Sequence, residues 1–87
     1  MHETAWVDNL IQNVASVARR ERAKRVVGVT VRLGPWSALS AEHVRERFVE
    51  AARGTIAEGA WIAVSTAGDD VGPIERGEVL ESIEIET

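Results

Sequence analysis

Cysteine is absent from the 87 residues, and histidine occurs only twice, at His2 and His43. The first absence excludes disulfides, thiolate nucleophiles, iron–sulfur clusters and thiolate zinc sites. The shortage of histidine excludes a large imidazole metal cluster. No apolar run approaches the ~20 residues that a membrane-spanning helix needs. The N-terminus has no basic segment leading into an apolar stretch, so it does not read as a secretory signal, and the expected compartment is the cytoplasm. No Gly-x-Ser-x-Gly elbow surrounds a serine; Ser37, Ser40 and Thr55 are explained by loops and caps. Gly54 and Gly59 lack the spacing and the lysine of a phosphate-binding loop. The carboxylates near the C-terminus alternate with isoleucine, which is the pattern of a solvated strand face. Nothing here reads as an enzyme.

The composition that remains is that of an ordinary globular domain, 45% hydrophobic and 28% charged. Its length fits one domain, residues 1–87. The formal net charge is −4, but it is unevenly spread. Residues 1–53 carry nine Lys/Arg against six Asp/Glu, and residues 54–87 carry one against eight. The basic excess gathers at Arg19, Arg20, Arg22, Lys24 and Arg25. Such a cluster reads as a nucleic-acid contact or as a solvated helix end complementing the negative pole of the helix. The second reading is preferred, because the chain is acidic and no aromatic residue is interleaved with the charges.

Apolar periodicity locates five elements. Val7, Leu10, Ile11, Val14, Val17 and Ala18 recur at helical spacing and predict a helix over 4–22, with Thr4 as its N-cap. No glycine follows it, so its end is unmarked. Val27, Val29, Val31 and Leu33 alternate with Gly28, Thr30 and Arg32 and predict a strand over 26–34, ended by Gly34-Pro35. After a loop at 36–39, Ser40 caps a helix over 41–53 with Val44, Phe48, Ala51 and Ala52 as its stripe and Gly54 as its stop. A strand over 60–66 follows, with Ile62 and Val64 on one face and Trp61 and Ala63 on the other. Turn chemistry fills 68–73. A last strand over 79–86 carries Ile83 and Ile85; Glu81 breaks its inward phase and Leu80 points the wrong way, which predicts a bulge or an edge position. The helix between the first two strands makes them parallel, and the turn-rich connection makes the last two antiparallel. The expected fold is α+β: two helices on one face of a three-stranded mixed β-sheet, in the order α-β-α-β-β.

The chain begins Met1-His2-Glu3. A bulky second residue protects Met1 from removal and leaves its amine free. That amine, the His2 amide nitrogen and His2 Nδ1 close adjoining five- and six-membered chelate rings, and the Glu3 amide completes a square plane. Planar nitrogen-rich sites suit Ni(II) or Cu(II). The bland alternative is a histidine at position two that does nothing. His43, at the start of the second helix, reads as solvated rather than as a distal ligand. Trp6, Trp36 and Trp61 read as core or interface residues.

Met1-His2-Glu3 followed by an amphipathic helix resembles the start of the HypA family, the nickel metallochaperones of NiFe-hydrogenase maturation. The similarity continues through Ala23-Lys24-Arg25-Val26, the strand Val29-x-Val31-x-Leu33-Gly34, and Ser37 in the following loop. It extends over Arg53-Gly54-Thr55, Ala57-Glu58-Gly59-Ala60, Gly77-Glu78-Val79 and Ser82-Ile83-Glu84-Ile85-Glu86. One departure is large. The family carries a zinc ribbon of two CxxC pairs before its last strand, and here that stretch, Ala67 to Arg76, has no cysteine. Smaller departures are Arg22 where Gly is usual, Pro35 where Glu is usual, and Glu46 where an aromatic residue often packs. The resemblance implies one HypA-like nickel-binding domain without the zinc insert. It implies Met1, His2 and Glu3 as Ni(II) ligands, with no zinc. It also implies a nickel-handling GTPase and a hydrogenase large-subunit precursor as partners, with neither nucleic acid nor membrane. The acidic C-terminal strand and the basic end of the first helix are the docking surfaces on this reading. A free sheet edge leaves room for a homodimer. The competing reading is a metal-independent interaction module that kept the fold.

Overall fold

In the computed structural model, residues 2–34, 39–66 and 78–87 are described, with backbone alone at 2–4, 78 and 79. Helix α1 spans His2–Arg20, strand β1 Arg25–Leu33, helix α2 Ala41–Ala52, strand β2 Trp61–Thr66 and strand β3 Glu78–Glu86. The predicted element order holds. The strand order is β2-β1-β3, with β1 parallel to β2 and antiparallel to β3. β1 holds the centre because it is the most apolar strand; Val26, Val29, Val31 and Leu33 are all within 1% of complete burial. Its two edges are taken by β2 and β3, so the last two strands run in opposite directions without pairing with each other. The turn predicted at 68–73 and the loop residues up to 38, Trp36 and Ser37 among them, lie outside the described residues.

One core unites both helices with one sheet face. From α1 it takes Val7, Leu10, Ile11, Val14 and Ala18; from α2, Val44, Phe48 and Ala52. Ile62, Val64, Leu80, Ile83 and Ile85 close it from the outer strands. Glu46, the departure on α2, is exposed. Among the described residues no helix is long and apolar enough to cross a membrane.

Two bulges set which side chains face that core. Between Val26 and Gly28 the β1–β3 register shifts by one residue. Val26 therefore points inward and is fully buried, whereas Val27, predicted on the inner face, is only half-buried. An unpaired residue flips the two-residue phase of everything beyond it. The second shift falls between Thr30 and Val31 on β1, opposite Ser82 and Leu80, and leaves Glu81 as the extra residue. It returns Leu80 to the core side, as the broken phase of this strand predicted.

The helix ends also differ from the sequence reading. α1 begins at His2, so Thr4 lies in its first turn and is not the cap. It stops at Arg20 by a Schellman closure: the Ala23 N–H donates to the Ala18 carbonyl at 2.9 Å and the Arg22 N–H to the Arg19 carbonyl at 3.1 Å. This places Arg22 at φ 57°, the left-handed region. A non-glycine residue there costs roughly 1–2 kcal/mol. That geometry is the physical reason glycine suits this position. α2 starts as predicted, with Ser40 Oγ accepting from the His43 N–H at 3.1 Å.

Candidate metal centre

Because α1 opens at His2, the backbones of His2, Glu3 and Thr4 form its first turn. The first four N–H groups of a helix have no partner within it. The amide nitrogens of His2 and Glu3 are therefore not consumed by the helix ladder and remain open to deprotonation and metal binding. The positive pole of the helix favours donors that lose a proton over a bare hydrated cation. Among the described side chains of α1, the buried ones begin at Val7. Trp6, half-buried against the core, stands four residues after His2 and so on the same helix face.

Met1 and the side chains of His2 and Glu3 lie outside the described residues. Among the described residues there is no group of three or more His, Cys, Asp or Glu able to hold a metal ion. His43 is exposed, and its N–H is engaged in capping α2. The structure thus brings no described carboxylate or imidazole cluster together elsewhere.

A second feature was not legible in the sequence. A groove of about 480 Å³ opens between the C-terminal end of α1 and the connection between α2 and β2; it is lined by Ala15, Arg19, Arg22, Ala23, Thr55 and Ile56. The connection is tied to β1 by the Val26 N–H donating to the Ile56 carbonyl at 3.0 Å. Thr55 is committed to the loop, donating to the Ala52 carbonyl at 2.7 Å and accepting from the Ala57 N–H at 3.0 Å. The groove arises from a contact between segments some 33 positions apart. The one local signal was the arginine at position 22.

Comparison with known proteins places this geometry. Residues 1–69 match the family profile described as hydrogenase/urease nickel incorporation, metallochaperone, HypA. The chain is 34% identical over 85 residues to a hydrogenase maturation factor HypA of Archaeoglobus fulgidus, covering 98% of this chain and 77% of that one. It is 42% identical over 62 residues to the Pyrococcus furiosus factor of the same name, covering 71% of this chain and 45% of that one. The chain therefore spans less than half of several relatives that it matches. The solution structure of the Ni metallochaperone HypA from Helicobacter pylori superposes with a TM-score of 0.80 over 97% of each chain, at 14% identity, and shows the shared fold.

Proposed function

The chain belongs to the HypA family, which is one of metallochaperones rather than enzymes, and from that premise we propose that it is a nickel-binding accessory protein of NiFe-hydrogenase maturation. Residues 1–87 act as one nickel-binding domain without the zinc insert. Ni(II) is its cargo, held by the Met1 amine, the amide and ring nitrogens of His2, and the Glu3 amide, with no resident zinc. A nickel-handling GTPase and a hydrogenase large-subunit precursor are its partners, in the cytoplasm. The uncharged free edge of β2 accommodates a second copy of the chain.

The observation that carries this reading is the coincidence of two starts. The family match begins at residue 1, and the helix begins at residue 2, so the His2 and Glu3 amides fall where helix geometry leaves them unpartnered. The complete lack of cysteine favours the second reading, an interaction module without metal transfer. Titration of untagged protein with Ni(II), followed by calorimetry and visible absorption, separates the two. We expect about one Ni(II) per chain in a low-spin planar site. His2→Ala, or any extension before Met1, abolishes it, whereas Glu3→Ala weakens it less. Binding fails as pH falls, because protons compete with the metal for the amine, the amides and the His2 imidazole. Equal affinity in wild type, His2→Ala and the extended form refutes the metal-carrier reading in favour of the module.

A further inference from the structure

Arg25 is paired with Glu86 at 2.6 Å, Arg32 with Glu81 at 3.5 Å, and Arg47 with Glu50 at 3.0 Å. Arg19, Arg20, Arg22, Arg45 and Arg53 have no ion pair among the described residues, and of these Arg19 and Arg22 line the groove. Between them the walls are apolar, formed by Ala15, Ala23 and Ile56, and the arginine stems extend that apolar surface. The helix dipole accounts for a cation in the last turn, and Arg19 and Arg20 already supply it. It does not account for Arg22, which occupies a left-handed φ that glycine would adopt freely.

We propose that this groove docks a segment of a partner protein that sets a carboxylate beside an aliphatic or aromatic anchor. Guanidinium forks bind carboxylates bidentately, and the apolar walls accept the anchor. Nucleic acid is disfavoured by the net charge of −4 and by walls without an aromatic platform. The 19 residues of α1 span ~28 Å, which puts the groove at the opposite end of the helix from Met1-His2-Glu3. A partner seated there leaves the N-terminus clear, and the inference stands independently of the nickel reading.

The test is a titration of the isotope-labelled full chain, read by amide chemical shifts. The probes are a nonapeptide alternating glutamate with leucine and phenylalanine, an all-glutamate nonapeptide, and oligothymidylate. The mixed peptide is expected to shift Ala15, Ala23, Thr55 and Ile56, and to bind at least fivefold more weakly to Arg19→Gln/Arg22→Gly. Arg22→Gly alone is expected to raise Tm while weakening the peptide, since glycine suits that φ. Four results would each overturn the proposal: shifts scattered over the surface, equal affinity in the double variant, equal or tighter binding of either control probe, or a fall in Tm on Arg22→Gly.

Discussion

Gly28 and Trp61 face each other in register on the sheet surface away from the helices. The indole lies over the glycine, and a Cβ at position 28 would collide with Trp61 Cδ2, Cε2 and Cζ2. Gly28→Ala therefore forces the ring outward. Trp61 is 46% exposed, so somewhat over half of its surface is covered. With ~250 Å² for a tryptophan and ~25 cal/mol per Å², that cover stabilises the fold by at most ~3 kcal/mol. Swinging the ring off Gly28 forfeits part of it, about 2 kcal/mol. Alanine returns roughly 0.5–1 kcal/mol, because glycine is poor in a strand. The expected net destabilisation is about 1–1.5 kcal/mol, or a Tm lower by roughly 4–12 °C for a domain of this size. The sign should reverse once the ring is gone: in a Trp61→Ala background, Gly28→Ala should stabilise by about 0.5–1 kcal/mol. Urea denaturation of the four proteins gives the cycle, with a coupling near 2 kcal/mol. The same ΔΔG for Gly28→Ala in both backgrounds would refute the stacking argument.

The layered fold was legible because each element announces its period. The α1 stripe from Val7 to Ala18 and the alternation of Ile62/Val64 needed no tertiary information. Even the irregularity at Glu81 showed as a broken phase that called for a bulge or an edge position, and the strand has both. The bulge at Val27 did not show, because Val26 and Val27 are chemically identical and either could face inward. Only the pairing of Val26 with Ile85, and the N–H bond from Val26 to Ile56, selects one. Strand adjacency was equally hidden. The polarity of a turn-rich connection gives direction, but which strand deserves the centre depends on comparing burial across all three. The proposed N-terminal chelate rests on sequence alone for the opposite reason: its donors are consecutive and need no fold to assemble. The groove at Arg19 and Arg22 joins distant segments and could not be read from either alone.

Three further expectations follow from these contacts. Ser40→Ala removes the hydroxyl that accepts from the His43 N–H and should lower stability by about 1 kcal/mol in chemical denaturation. Val26→Ala should destabilise by roughly 2 kcal/mol and Val27→Ala by less than about 1 kcal/mol; the reverse order would place the bulge wrongly. The last concerns nickel and thermal stability. A ligand raises Tm only if it binds the folded chain better than the unfolded one, and a fold-dependent site at 100 times its Kd adds ~2.7 kcal/mol. Met1, His2 and Glu3 are neighbours in the unfolded chain too. The proposed chelate draws all of its donors from these three residues. Saturating Ni(II) should therefore leave Tm within a degree or two of the metal-free value, and chelators should leave the fold intact. A rise of roughly 10 °C or more, near what 2.7 kcal/mol gives in a domain of this size, would mean that a ligand from elsewhere in the fold joins the site. His43→Ala would be the first variant to separate that outcome, because it is the remaining imidazole of the chain.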